Sequence, residues 1–139
     1  MKTKSLSVLA SLMLSSITFA DIAVIVHPSV NFDNLDNEQV QRIFLGKTKK
    51  FPNGQQAVPI NQNSGTPLQN EFNEKVCNKD ANQYRAYWSQ LIFTGKGTPP
   101  EDAGGNSEVL ELISKNPNLI GFVDSSAVTA SVKVVLKVP

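Results

Sequence analysis

Apolar residues along the chain fall into two patterns, which predict helices that alternate with short strands. Ile22 to Val26 is a continuous apolar run rich in β-branched residues, typical of a strand covered by helices on both faces. Leu119 to Val123 and Val132 to Val138 predict two further strands, and the lysines that alternate with valines place the second at a sheet edge. The whole pattern predicts a three-layer α/β/α lobe with Ile22 to Val26 inside the sheet.

Capping residues mark where two helices begin. Asp36 and Gln39 have the spacing of a capping box, and the helix that follows is predicted to end at Gly46. Asp80 and Gln83 repeat this spacing before a helix with a wide apolar face, formed by Tyr84, Tyr87, Trp88, Leu91 and Ile92. We interpret these aromatic residues as core, with a ligand-stacking platform as the alternative.

A short apolar strand runs into the turn Ser64-Gly65-Thr66, which opens another helix. The first amides of a helix have no intrahelical acceptor and lie at the positive end of the helix dipole, so they can hold a phosphate or a carboxylate. Ser64 and Thr66 would add two hydroxyls, Gly65 allows a close approach, and Pro67 removes one amide. An ordinary helix cap is the alternative interpretation of the same residues.

The later segments complete the predicted architecture. The helix after the turn has apolar residues at intervals of four, which predict a buried stripe made up of Leu68, Phe72 and Val76. Gly95 to Pro100 is predicted to be a surface connection, because its prolines prevent a helix from starting there. Asn106 is predicted to cap a last helix, which Asn116 and Pro117 end.

Five segments follow one another in an order that a known family shares. They are Ile22 to Val26, Leu35 to Gly46, Phe51 to Gly54, Ala57 to Phe72 and Ile120 to Val123. Together they resemble the phosphate-binding protein family of periplasmic solute receptors, which has the type 2 periplasmic binding protein fold. The most distinctive pair is the Ile-Phe-x-Gly helix end followed by the Ser-Gly-Thr loop.

The resemblance implies that the chain binds phosphate or a related oxyanion at Asn63, Ser64, Gly65 and Thr66. It implies a periplasmic solute-binding protein linked to ABC-type phosphate uptake or sensing, with no cofactor. The partners would be the oxyanion and a membrane permease, a sensor or a second lobe supplied by another chain. The alternative function is that of an envelope interaction domain, which keeps the fold of a receptor lobe and has lost the ligand.

Two departures from the family predict that any binding is weak. The strand-loop-helix unit of the first lobe, which donates half of the ligand contacts in two-lobed receptors, has no counterpart in the sequence. Ile60 and Gln62 stand where phosphate-specific members carry Arg and Asp. We therefore expect a dissociation constant on the order of 0.1 to 1 mM. We also expect the strand at Ile22 and the strand before Ser64 to be neighbours whose carboxyl ends open on the same sheet edge.

Met1 to Ala20 has the pattern of a cleaved signal peptide. Lys2 and Lys4 precede an apolar-rich stretch, and Thr18-Phe19-Ala20 is a suitable cleavage site. The predicted mature domain, Asp21 to Pro139, keeps 119 of the 139 residues and fits a single domain. We expect this domain to be periplasmic.

Charge does not indicate a nucleic-acid partner. Without the first twenty residues the chain has eleven basic and twelve acidic residues, a net charge near −1. One basic cluster, formed by Arg42, Lys47, Lys49 and Lys50, is interpreted as a solvated helix end and loop. A patch for an anionic partner is the alternative.

Few residues suggest catalysis or metal binding. His27 stands alone at a predicted strand end, no Gly-x-Ser-x-Gly motif surrounds Ser64, and His and Cys are too few for a metal-binding spacing. Cys77 has no partner for an internal disulfide and is predicted to be a partly buried helix residue, with a bridge between two chains as the alternative. Catalysis is the function class that the sequence supports least.

Overall fold

A five-stranded sheet crosses the part of the chain that the structure, a computed structural model, describes, namely residues 21–139. Its strands are β1 (Ile22–Val26), β2 (Val58–Asn61), β3 (Glu101–Asp102), β4 (Leu119–Asp124) and β5 (Lys133–Val138), in the order β3-β2-β4-β1-β5. β1 pairs antiparallel with β4 and β5, whereas β2 pairs parallel with β3 and β4. The predicted signal peptide, residues 1–20, lies outside the described residues.

The helices of the described chain are α1 (Asn37–Phe44), α2 (Pro67–Lys75), α3 (Ala81–Phe93) and α4 (Asn106–Lys115), with a short 3-10 turn at Ser125–Ala127. Both predicted capping boxes are present. The carboxylate of Asp36 accepts from the Gln39 amide at 2.7 Å, and that of Asp80 accepts from the Gln83 amide at 2.8 Å. Gly46 follows α1 with a φ of +71°, a conformation that stops the helix and favours glycine.

The core has two parts, one on each face of the sheet. β1 contributes to both, because Ile22, Val24 and Val26 pack with residues of α1 and α2, whereas Ala23 and Ile25 pack with residues of α4. Helices on both faces confirm the predicted α/β/α layers. The strand order also confirms that β1 lies inside the sheet and β5 at its edge.

Three phenylalanines fill the centre of the core between the sheet and the first two helices. Phe72 of α2 stacks on Phe122 of β4 with ring centroids 3.8 Å apart, and Phe44 of α1 meets Phe72 edge-on at 4.7 Å. All three side chains are buried. Since aromatic pairs of this kind contribute beyond their buried area, they hold α2, and with it the loop before α2, on β4.

The predicted relation between β1 and β2 is wrong. β4 lies between these strands, and it runs antiparallel to β1 but parallel to β2. β1 and β2 therefore run in opposite directions, so their carboxyl ends lie at opposite ends of the sheet. The loop after β2 lies at the same end as the carboxyl ends of β3 and β4. Apolar patterning indicates that a strand is buried, but it does not specify the direction of that strand relative to one far along the chain.

Two details of the helices also differ from the predictions. Gly105, and not Asn106, is the N-cap of α4, because the Asn106 carboxamide oxygen accepts from the Gln62 side chain at 2.8 Å instead. Ile92, which the sequence predicts on the apolar face of α3, is 54% exposed. The reason is that α3 packs through Trp88, its one buried residue, and the last turn of the helix extends beyond the core.

Cys77 is fully buried and lies in the turn after α2, not within a helix. At 1% exposure its sulfur is not available for a bridge to a second chain in the folded state. Burial raises the pKa of the Cys77 thiol to about 12 from a usual value of 9.0, and the nearby Lys79 offsets this only in part. The residue is therefore an unreactive core thiol.

This burial predicts an alkaline loss of stability. The unfolded thiol ionises above about pH 9 while the folded thiol stays protonated, so its contribution to stability is complete below pH 9 and declines as pH rises towards 12. Urea unfolding at pH 8 and pH 10 should show a smaller decline for Cys77→Ala than for the unmodified chain. Equal declines, or rapid reaction of the folded thiol with Ellman's reagent at pH 8, would contradict the assignment.

Candidate functional site

The turn between β2 and α2 is a helix cap built around Gly65. Gly65 has a φ of +79°, which residues with a Cβ rarely adopt. The Thr66 hydroxyl donates to the Asn63 carbonyl at 2.8 Å and accepts from the Gln69 amide at 3.4 Å. The capping role that the sequence left open is therefore present, and it engages the Thr66 hydroxyl within the turn.

Ser64 already holds an anion, which is the carboxylate of Asp102. The Ser64 hydroxyl donates to Asp102 Oδ2 at 2.9 Å, and the Ser64 amide donates to the same oxygen at 3.3 Å. Asp102 ends β3, and parallel pairing places it beside Asn61 at the end of β2. The loop thus has anion-binding geometry, and its Ser64 donors serve a carboxylate of the same chain.

Few other donors remain in the loop. The Thr66 amide donates to the Asn63 carbonyl at a long 3.4 Å, and the Gly65 amide makes no hydrogen bond with a residue in 21–139. An external oxyanion would therefore find the Gly65 amide free. It would have to displace Asp102 to reach the two donors of Ser64.

An open cavity of about 880 Å³ adjoins this loop. Ser64 and Gly65 line it, whereas Asn63 and Thr66 do not. The structure thus brings two of the four residues predicted to bind a ligand to the cavity and leaves the other two as part of the turn. Clefts of this size commonly accommodate organic molecules, so the space exceeds what an inorganic oxyanion alone would fill.

A network of buried side-chain amides fixes the start of the loop, where β2 ends. The backbone N–H of Gln62 donates to Gln69 Oε1 at 2.9 Å, and Gln69 Nε2 donates to Asn73 Oδ1 at 2.9 Å. The Gln62 side chain in turn donates to the Phe122 carbonyl of β4 at 3.0 Å. Because buried polar groups are costly without partners, this network holds the end of β2 against both α2 and β4.

Asn61 at the end of β2 and Tyr84 of α3 line the cavity and contact each other. Asn61 Nδ2 donates to the Tyr84 hydroxyl at 2.9 Å, while Asn61 Oδ1 has no donor among the described residues. Burial raises the pKa of the Tyr84 hydroxyl above its usual value, and the hydrogen bond from Asn61 opposes this rise. The indole N–H of Trp88 is also buried and makes no hydrogen bond with a described residue. It lies close enough to the Tyr84 hydroxyl to oppose the rise of the Tyr84 pKa, by less than Asn61 does.

The aromatic residues of α3 divide between core and cavity. Trp88 is 4% exposed, and the Tyr87 hydroxyl donates to the Leu45 carbonyl at 2.6 Å, so these two residues tie α3 to the end of α1. Tyr84 is half-buried and lines the cavity, as does Trp88. The core interpretation is confirmed for Trp88, while Tyr84 has a face towards the cavity.

Sequence reasoning missed Asp102 and the buried amides. Asp102 follows the predicted surface connection and lies 38 residues from Ser64 along the chain, in a strand of two residues that leaves no periodic signal. Gln62, Gln69 and Asn73 are polar residues whose burial no local pattern indicates. A structure was needed to find all four.

The remaining candidates are not part of a composite site. Within residues 21–139, no three His, Cys, Asp or Glu side chains come together as a metal site. His27 Nδ1 lies 2.7 Å from the Ser29 hydroxyl, a local contact at the end of β1. The basic cluster is solvent-exposed, which is compatible with a solvated helix end and loop and equally with a patch for an anionic partner. No helix of the described chain has the length and apolar character required to cross a membrane.

No model of a known protein family matches the sequence. Solved structures, however, share the fold. A phosphate ABC transporter substrate-binding protein from Clostridium perfringens, solved with bound phosphate, superposes with a TM-score of 0.67 at 22% identity, over 84% of this chain and 45% of that one. An ABC-type phosphate transport receptor from Vibrio cholerae superposes with a TM-score of 0.65 at 17% identity, over 84% and 46%.

PstS from Borrelia burgdorferi gives a TM-score of 0.61 at 15% identity, over 84% of this chain and 47% of that one. The chain therefore spans less than half the length of the solved proteins that it matches. At these identities the likeness establishes the fold. The type 2 periplasmic binding protein fold expected from the sequence is confirmed, as a single α/β/α lobe like that of phosphate-transport receptors.

Proposed function

We propose that the chain is a periplasmic solute-binding protein that holds phosphate or a related oxyanion weakly at Asn63, Ser64, Gly65 and Thr66. Binding would use the Ser64 and Gly65 amides and the Ser64 hydroxyl, with Thr66 shaping the turn. The chain would act without catalysis after removal of residues 1–20. Its proposed macromolecular partner is an ABC-type permease, a sensor or a second lobe from another chain.

The observation that supports this proposal is the pair of hydrogen bonds from Ser64 to one carboxylate oxygen of Asp102. A phosphate oxygen is an acceptor of the same kind, and hydrogen bonds to an ionised acceptor are stronger than those to a neutral one. The fold shared with phosphate-transport receptors supports the same ligand class.

Asp102 also gives a reason for weak binding. Phosphate must displace this carboxylate from Ser64, and the displaced carboxylate would remain close to the bound anion. Two negative charges a few ångströms apart repel each other, and in an open cavity water screens this only in part. The affinity of the unmodified chain is therefore expected at the weak end of the range of about 0.1 to 1 mM.

Asp102→Asn should strengthen phosphate binding about tenfold, which corresponds to about 1.4 kcal/mol. The change removes the repelling charge and weakens the competitor for the Ser64 donors. Inorganic phosphate would be titrated into the unmodified chain and the variant, with chemical shifts followed at Ser64, Gly65 and Thr66. Ser64→Ala should weaken binding in both backgrounds.

Glu101→Gln is the matched control, since it removes the same charge from the neighbouring residue, which also lines the cavity but makes no hydrogen bond to Ser64. Its affinity should change less than about threefold, because an exposed charge without direct contact is screened. Equal effects of the two variants would show that only net charge matters. Absence of shifts at the loop in tens of millimolar phosphate would exclude oxyanion binding.

The second candidate function is an interaction domain without a ligand. It is favoured by Phe93, which is 91% exposed at the end of α3, next to the half-exposed Ile92. Contiguous exposed apolar patches are typical of contact surfaces, and these two side chains would form part of one. The phosphate titration separates the two functions, because an interaction domain requires no response at Ser64.

A further inference from the structure

One residue that lines the cavity, Asn61, carries an unpaired hydrogen-bond acceptor. The Asn61 side chain is 4% exposed and donates through Nδ2 to the Tyr84 hydroxyl, but its Oδ1 accepts from no residue in 21–139. Buried polar atoms nearly always have a partner, because leaving one unpaired is costly. Asn61 Oδ1 is therefore a position where a bound molecule can supply the missing donor.

Asp102 provides a second acceptor beside the first. Asn61 and Asp102 are register partners in the parallel pair β2–β3, so their side chains leave the sheet on the same face, about 5 Å apart. Asp102 Oδ2 accepts both hydrogen bonds from Ser64, whereas Oδ1 accepts none from the described residues. Both side chains line the cavity.

The charge and shape of the cavity favour a cation with an apolar part. Among the described residues that line it, Glu101 and Asp102 are acidic and Arg85 is basic, which leaves a net negative charge. The apolar part of the lining includes Trp88, Ile92 and Pro99. A negative end beside an apolar wall matches an ammonium group on a short hydrocarbon chain.

We propose that this cavity binds the primary ammonium group of a small organic amine. The ammonium donates to Asp102 Oδ1 and Asn61 Oδ1, and the alkyl chain lies along the apolar wall. Asn61 Oδ1 is covered in the ligand-free chain, so binding requires the carboxamide to rotate about its soft terminal torsion, which turns the oxygen towards the cavity and strains the hydrogen bond to the Tyr84 hydroxyl. Asp102 keeps its contacts with Ser64 throughout, so amine binding does not require the anion loop to be vacated.

The test uses n-butylammonium chloride, titrated into the unmodified chain and followed by chemical shifts and calorimetry. We expect a dissociation constant on the order of a few millimolar, with shifts at Asn61, Asp102 and the Trp88 indole. Two probes serve as controls: 1-butanol keeps the alkyl chain without the charge, and tetramethylammonium keeps the charge without N–H donors. Each should bind at least fivefold more weakly, and equal binding of either would overturn the proposal.

Variants of the chain separate amine binding from oxyanion binding. Asp102→Asn should weaken n-butylammonium about tenfold, since it replaces a charged acceptor with a neutral one, while it strengthens phosphate. Glu38→Gln, which removes an exposed charge from α1 outside the cavity, should leave amine affinity unchanged. Unchanged amine affinity in Asp102→Asn would overturn the amine site alone. A missing phosphate response would overturn only the oxyanion proposal.

Discussion

Replacing Phe72 by alanine is expected to lower the free energy of unfolding by about 3–5 kcal/mol, the usual cost of deleting a fully buried phenylalanine ring. Phe72 is 0% exposed, stacks on Phe122 at 3.8 Å and meets Phe44 at 4.7 Å, so its removal leaves a cavity between α1, α2 and β4. The neighbouring rings cannot fill this space without leaving their own contacts. Urea unfolding followed by circular dichroism measures the loss.

Phe93→Ala is the matched control, since it makes the same chemical change at a side chain that is 91% exposed. Its free energy of unfolding should change by less than about 0.5 kcal/mol, as is usual for surface substitutions. A loss below about 1.5 kcal/mol in Phe72→Ala would mean that the three-ring cluster is not the centre of this core. Similar losses in both variants would lead to the same conclusion.

Replacing Gln69 by leucine is expected to cost about 2–4 kcal/mol although the two side chains are similar in size. The Gln62 amide loses its acceptor and Asn73 Oδ1 loses its donor, and each buried group left unpaired costs about 1–3 kcal/mol. Because Gln62 leads directly into the loop, chemical shifts of Ser64 and Gly65 should also change. Urea unfolding and an amide spectrum measure the two effects.

Gln90→Leu provides the comparison on α3, where the glutamine is exposed and its side chain makes no hydrogen bond with a described residue. It should change the free energy of unfolding by less than about 0.5 kcal/mol and leave the loop spectrum unaltered. If Gln69→Leu were as stable as Gln90→Leu, the buried amides would not be what holds the loop. The position of Ser64 would then depend on the turn alone.

Much of the fold could be predicted because its signals are local. The capping boxes at Asp36 and Asp80 involve residues three apart, and the end of α1 at Gly46 depends on the positive φ that this one residue adopts. The apolar run of β1 and the lysines of β5 indicated an internal strand and an edge strand, and both are found. In these cases the physical cause lies within a few neighbouring residues.

The candidate site could be predicted only in part, because its decisive contacts join distant segments. Ser64, Gly65 and Thr66 were found as a turn able to hold an anion. That Asp102 is the anion now held there depends on the pairing of β3 with β2, and two residues are too few to indicate a strand. The direction of β1 relative to β2 was mispredicted for a related reason, since strand direction depends on the whole topology.

The sequence by itself determined the starts of α1 and α3 at their capping boxes, the α/β/α layering and a loop able to hold an anion. These follow from backbone sterics and from apolar periodicity, which act over short stretches of chain. Only the tertiary structure decided which polar side chains are buried, as with Gln69 and Asn61, and which charge meets Ser64. Burial and charge pairing depend on what packs opposite a residue, and a carboxylate such as Asp102 becomes part of a site only when the fold places it beside a donor.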